Sequence, residues 1–206
     1  MINRRHAFLP PIVSALAQRF GMQKTKICNV YDMLETDRLI LRQFKKNDIE
    51  EVFALRSDRE MMRFIREPQD REETANWLKL VSSRWADENI GFCAVVEKTT
   101  EKLIGWCGLW LLKETQEIEI GYAIAKRFWG KGFAVEAAKK FLEYGFSELN
   151  LEKIAAVAYP GNTASRRMME KLGMQFDYIG EFYERDLVHY SISRESWLEN
   201  CDKQIR

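Results

Sequence analysis

The sequence has no apolar run near the roughly 20 residues that a membrane-spanning helix needs. Its best candidate, AFLPPIVSALAQRF, is broken by Pro10 and Pro11 and meets Arg19. Charge excess is absent too: 32 lysines and arginines stand against 31 aspartates and glutamates, so no global field marks a binder of nucleic acid or anionic membranes. The four cysteines, at 28, 93, 107 and 201, form no CxxC pair and do not cluster with His6 and His189. That spacing argues against a metal site or a disulfide framework and for free thiols in a reducing cytoplasm. No repeat or low-complexity linker divides the chain, and 206 residues with 46% hydrophobic content suit one core. The expectation is a soluble, cytoplasmic protein, monomer or homodimer, with no membrane, metal or direct nucleic-acid partner.

What is there falls into two parts. Residues 1–33 carry Arg4, Arg5, Arg19, Lys24 and Lys26 against Asp32 alone and read as a basic N-terminal extension, either a mobile arm or a docking segment. Residues 34–200 read as the folded domain. RLILRQF is a short strand, NDIEEVFALRSD and REETANWLKLVSSRWADEN are amphipathic helices, and GFCAVVEK, KLIGWCGLWLL and EIEIGYAIA are strands joined by short polar turns. Ala134, Ala137, Ala138, Phe141, Leu142 and Gly145 then recur at helical spacing. KIAAVAY is a buried strand, NTASRRMMEKL a capped helix stopped by Gly173, and MQFDYIG and DLVHYSIS are closing strands. The order β-α-α-β-β-β-α-β-α-β-β makes an α+β domain.

Between the third of those hairpin strands and the long helix lies RFWGKGFA. A Walker A loop would need glycine where Ala125 stands, and a dinucleotide fingerprint would need one at Val135. What remains, Arg-x-x-Gly-x-Gly-x-Ala ahead of a helix, still suits an anion. Gly130 and Gly132 allow a sharp backbone turn, the first helical amides are unpaired donors, and Arg127 and Lys131 add charge. A pyrophosphate is the fitting ligand, and an ordinary strand-to-helix turn is the bland alternative. No GxSxG elbow points to a serine hydrolase.

Several motifs together resemble the GNAT superfamily of N-acetyltransferases, and its RimJ/RimL-like branch in particular: TDRLILRQF, LIGWCGL, EIGYAIAKRFWGKGFAVEA, NTASRRMMEKLGM and HYSISRESW. The resemblance spans about Thr36 to Trp197. It implies a three-layer GNAT fold, a mixed and mostly antiparallel sheet flanked by helices, in which one parallel strand pair splays to admit acetyl-CoA. It implies that the strand edge at Ile124 and Ala125 pairs with the pantetheine arm, and that Arg127, Trp129, Gly130, Lys131, Gly132, Phe133 and Ala134 hold the pyrophosphate, with Asn162 nearby. Lys126 departs from the proline common in the branch, which suggests a less rigid turn.

The resemblance further implies transfer of acetyl from acetyl-CoA to a primary amine by direct attack. A protein or peptide N-terminal amine is the branch's acceptor, with a small amine or a non-catalytic acyl-CoA module as alternatives. Glu119 matches a glutamate common in the branch and is the acid/base candidate, sharing a strand face with the small Gly121 and Ala123 that would leave room for an acceptor. A solvated strand glutamate is the other reading, and Glu117 is the backup. Some members place a proton-donating tyrosine where this chain has Met169, which leaves Ser165 to protonate the leaving thiolate. Tyr190 reads as core, His189 as a solvated strand histidine able to line the acceptor groove, and Trp77, Trp85 and Trp106 as core anchors.

Overall fold

The computed structural model describes residues 34–205; the basic extension, 1–33, lies outside them. Among the described residues eight strands form one sheet: β1 (Leu34–Glu35), β2 (Leu39–Arg42), β3 (Phe92–Glu97), β4 (Leu103–Leu112), β5 (Glu117–Ile124), β6 (Lys153–Ala158), β7 (Gln175–Phe182) and β8 (Arg185–Ser193). The spatial order is β1-β2-β3-β4-β5-β6-β8-β7, antiparallel throughout except where β5 meets β6. Short polar turns build the β3–β4–β5 meander, as their sequence separators require.

Helices cover both faces. Trp106 stands opposite Ala123 in the β4–β5 ladder and therefore shares a face with Gly121 and Glu119. Onto that face pack α1 (Ile49–Arg56), the short α2 (Arg59–Met62) and α3 (Arg71–Glu88): Trp77 of α3 lies 5.5 Å from Trp106, and the buried Arg56 of α1 stacks 4.0 Å over Trp77. The opposite face takes α4 (Phe133–Ser147), whose Gly145 sits against Leu109 and Ile154 and whose Ala137, Ala138, Phe141 and Leu142 are fully buried. The apolar spacing of that helix predicts this stripe, and Trp85 and Trp106 are core anchors as expected. Two further helices are α5 (Thr163–Lys171) and α6 (Arg194–Ile205). The sequence reading lacks α6: it follows β8 without glycine or proline, and Trp197, 5.9 Å from Phe146, is its main apolar anchor.

Cys93 and Cys107 face each other across β3 and β4 as buried free thiols. Burial pushes both thiols well above their ordinary range, so they behave as small apolar side chains.

Gly108 shows how closely the meander is packed. A Cβ there would lie 2.0 Å from the Gly91 carbonyl oxygen and 2.7 Å from Phe92 Cα, backbone that has nowhere to move. Gly108→Ala is expected to destabilise the domain by about 1–3 kcal/mol or more. Gly161, with nothing within 4 Å of its would-be Cβ, is the matched control. Thermal unfolding of the two variants should separate them, and equal melting temperatures would contradict the packing argument.

Candidate functional site

The parallel junction in the centre of the sheet is a single bridge, Glu119 opposite Ala155. Beyond it β5 and β6 diverge and leave a cleft. Ala125 N donates to Ile104 O at 2.8 Å, so odd-numbered residues at the end of β5 turn their backbone groups to β4. By the alternation of an antiparallel ladder, Tyr122 and Ile124 present theirs to the cleft. That is the free edge an extended ligand arm can pair with. One acceptor is taken internally: the Trp129 indole donates to Ile124 O at 2.5 Å.

At the end of the cleft a 3-10 turn over Lys126–Phe128 leads to two glycines and α4. Gly130 and Gly132 have φ of 75° and 81°, the left-handed region that glycine occupies without cost. No atom lies within 4 Å of the would-be Cβ of Gly130, so conformation, and not crowding, requires glycine there. Beyond this turn the first amides of α4, from Phe133 and Ala134 onward, are the usual orphan donors of a helix start. The Trp129 amide is spent on Lys126 O at 3.0 Å, which removes it from the predicted set of phosphate donors; its side chain pins the turn instead. Arg127 and Lys131 lie 5.0 and 5.2 Å from the Phe128 ring centroid. Lys126, in the place where proline is common, pairs its exposed ammonium with Glu60 of α2 at 3.0 Å.

Two residues that sequence reasoning passed over hold this cradle. Arg38 Nη1 donates to Lys131 O at 2.9 Å and its guanidinium pairs with Glu136 on the first turn of α4, to which Thr36 also donates. The TDRL motif thus clamps the loop from the far edge of the sheet. Its signal, a Thr and an Arg flanking a strand start, has no local meaning without the fold.

Glu119 is buried, 6% exposed, at the vertex of the cleft. Its carboxylate accepts a hydrogen bond from the Tyr183 hydroxyl. Burial pushes the Glu119 carboxyl up to about 7, with nearby Glu114 adding to the rise and the Tyr183 bond opposing it. A carboxyl poised near neutrality in a cleft is a candidate for proton-transfer chemistry. The solvated-strand reading of Glu119 is therefore incorrect. So is the idea that Gly121 leaves open space beside it: a Cβ on Gly121 would lie 2.7 Å from the Phe92 ring, which fills that position and stacks on Trp110. Tyr183 sits in the two-residue turn between β7 and β8, where Tyr183 and Glu184 have φ of 52° and 60°. Such a turn usually carries Asn-Gly, so its sequence gave no turn signal and Tyr183 went unnoticed.

Ser165, on the first turn of α5, places its Oγ 2.8 Å from the Tyr122 hydroxyl. Asn162 caps that helix as expected, its Oδ1 accepting from Ser165 N at 3.2 Å. Tyr122 differs in parity from Glu119, so the two side chains leave β5 on opposite faces. The site is thus not one cluster: the carboxyl borders the cleft from the α1–α3 side and the hydroxyl pair from the other. Met169, wholly buried, fills core.

Glu117 and His189 are corrections. His189 is fully buried, its Nδ1 2.9 Å from Asp177 Oδ2 and its Nε2 2.9 Å from Glu117 Oε2, with its ring stacked on Tyr178 and Phe182. It lines no groove. Glu117 is engaged by that ring and by Lys153 at 3.0 Å. Burial would raise its pKa, but these bonds hold it below the usual carboxylate range, unsuited to a base at neutral pH. Tyr190 is core, as read.

Residues 38–175 match the acetyltransferase (GNAT) domain family. YoaA, an uncharacterized N-acetyltransferase of Bacillus subtilis, is 34% identical over 149 residues, 71% of this chain and 84% of that protein. YdaF of the same organism, provisionally named a ribosomal N-acetyltransferase, is 35% identical over 102 residues, 44% of this chain and 55% of that one. A GNAT-family acetyltransferase structure from Bacillus anthracis has a TM-score of 0.68 at 28% identity, covering 80% of this chain and 99% of its own. The chain belongs to the GNAT acetyltransferase family.

Two outcomes follow from the Glu119 environment. The Tyr183 bond favours the charged carboxylate, so Tyr183→Phe is expected to raise the Glu119 pKa by about 1 unit, read by carbon-13 NMR titration. A folded-state pKa moved from 4.5 to about 7 also links stability to pH. The contribution is fully present below about pH 4.5 and is lost as pH rises through about 7, amounting to about 3 kcal/mol. Glu119→Gln lacks this titration and should gain stability relative to the parent across that window, as measured by denaturant unfolding at pH 4.5 and 8. A difference that is flat with pH would refute the assignment.

Proposed function

We propose that this chain transfers the acetyl group of acetyl-CoA to the N-terminal α-amine of a protein or peptide, in the cytoplasm, by direct attack and with no covalent enzyme intermediate. The observation that carries the reading is Glu119, buried at the cleft vertex with its carboxyl near 7. An α-ammonium has a pKa of about 7.7–8.0, so passing its proton to such a base costs about 1 kcal/mol, whereas a lysine near 10.4 costs about 4–5 kcal/mol. The provisional name of YdaF, a ribosomal N-acetyltransferase, supports a protein acceptor.

Acetyl-CoA supplies the thioester electrophile when bound, and the free edge and cradle suit it. The edge at Ile124 offers backbone pairing, whereas Ala125, expected to share that role, spends its amide on Ile104 O and its carbonyl on Phe128 N; the amides of Gly130, Lys131, Gly132, Phe133 and Ala134, with Arg127 and Lys131, suit a pyrophosphate. Glu119 takes the ammonium proton on one face of β5. On the other, the Tyr122–Ser165 hydroxyl pair holds a proton for the leaving thiolate. The Ile124 amide, turned into the cleft, is a preorganised donor for developing negative charge. Burial raises the Tyr122 hydroxyl pKa, so it remains a proton source at neutral pH. The catalytic domain proposed is residues 34–200.

Replacement of Glu119 by glutamine is expected to lower kcat/KM by about 10²–10⁴, with calorimetric affinity for acetyl-CoA unchanged. Ser165→Ala should lower kcat at similar KM. Peptides with a free N-terminus should react faster than N-blocked peptides containing lysine, by mass spectrometry of the products. Faster lysine or polyamine acetylation would reject the α-amine reading, and parental rates in both variants would reject the residue roles.

A further inference from the structure

A pocket of about 600 Å³ opens beside the cleft on the α1–α3 side, and four of its lining side chains are arginines: Arg59, Arg63, Arg66 and Arg185. It lies within electrostatic reach of the Glu119 vertex. Tyr159, in its wall, directly follows β6, and the charge of Arg66 acts on the same Tyr183 hydroxyl that bonds Glu119. We propose that this pocket is an anion subsite for the acceptor, so that the amines this chain acetylates carry a carboxylate or phosphate near the reacting nitrogen. The proposal rests on the acetyltransfer reading above and narrows its substrate class.

Like charges gathered round one cavity repel unless something neutralises them, and the chain supplies little. Arg38, Arg42, Arg71, Arg84 and Arg194 each pair with a carboxylate; among the described residues none of the four pocket arginines does. The one carboxylate in the lining is Glu67, and the nearby Glu60 is drawn away by Lys126. The guanidinium groups are held instead by contacts that leave donors free. Arg63 lies 4.9 Å over Phe64, and Arg185 lies 5.6 Å over Tyr159 while giving only Nη1 to Ile65 O, at 2.9 Å. Planar forks with free N–H groups match carboxylate and phosphate oxygens.

The arginine loop is also fixed in advance. Gln69 N donates to Arg56 O at 2.9 Å, and the Arg56 side chain reaches back to Gln69 Oε1 from its seat over Trp77, closing the segment at both ends. The subsite is distinct from the pyrophosphate cradle, because α4 lies on the opposite face of the sheet.

The anion has two possible sources, acidic side chains after a peptide N-terminus or a phosphate on a small amine. The test measures binding to the full chain loaded with CoA, together with acetylation. Peptides of one N-terminal residue carry Asp, Ala or Lys at positions two to four, and a phosphorylated amino alcohol is compared with its parent. Acidic peptides, or the phosphorylated amine, should bind and react at least about 10-fold better than the neutral counterpart, the winning arm naming the source. Arg63→Gln and Arg66→Gln should each erase most of that preference with acetyl-CoA affinity unchanged, and Arg63→Glu should shift it towards Lys. Equal affinity for acidic and neutral acceptors in both arms would overturn the proposal even if acetylation proceeds. So would arginine variants that weaken acetyl-CoA binding instead. Loss of turnover with preserved acidic-ligand binding would count against the acetyltransfer reading and leave the subsite standing.

Discussion

Everything functional in this molecule depends on one backbone bridge. At Glu119 and Ala155 the two halves of the sheet are joined, and immediately beyond it they part. Had β5 and β6 stayed paired along their lengths, the amide and carbonyl of Ile124 would be consumed in the ladder and no cleft would exist. Had they not paired at all, the β1–β2–β3–β4–β5 part of the sheet and the β6–β8–β7 unit would lack their strand junction. The meander keeps β5 straight through eight register pairs with β4, so the divergence falls on the other side.

A split sheet creates an internal edge, and edges invite unwanted pairing. The chain limits the exposure by local means. Trp129 covers the Ile124 carbonyl, Phe128 is buried beneath two cations, and the Tyr122 hydroxyl bridges to Ser165 across the opening. The same side chains define the cofactor's side of the cleft. Opposite them, Glu119 is buried on the face covered by α1 and α3, so in the proposed function proton removal and proton delivery are separated by the thickness of one strand. That separation suits a reaction in which one partner gains what the other loses.

How much of this could be read in advance depended on whether a signal is local. The helix over Phe133–Ser147, the meander, the Asn162 cap and the glycine turn were all legible, because each follows from spacing or from a single residue's conformational habit. Glu119 was legible as a candidate but not its burial, to which the β7–β8 turn, distant in sequence, contributes Tyr183. Tyr183 was invisible for the same reason, and so was the clamp of Thr36 and Arg38 on Glu136, about a hundred residues apart. His189 was misread because strand alternation gives the face of a side chain and not what stands over it. Here Asp177, Glu117 and two aromatic rings stand over it.

The loop between α1 and α3 illustrates the limit from the other side. Its segment, SDREMMRFIREPQD, has no periodicity to speak of, and nothing in the sequence singles out its arginines. Only the fold reveals that three of them converge with Arg185 from β8, with Glu67 alone among carboxylates in the lining and Glu60 paired to Lys126. The framework proposed for acetyl-CoA comes from the meander and α4, whereas the proposed acceptor side is built from elements whose sequence carries little pattern. Two chains can therefore keep the same cleft, the same vertex glutamate and the same glycine turn while differing in this loop. On the anion-subsite proposal, substrate choice resides in the charge of that loop, and similarity confined to the RFWGKGFA region speaks for the donor of the acetyl group and leaves the recipient open.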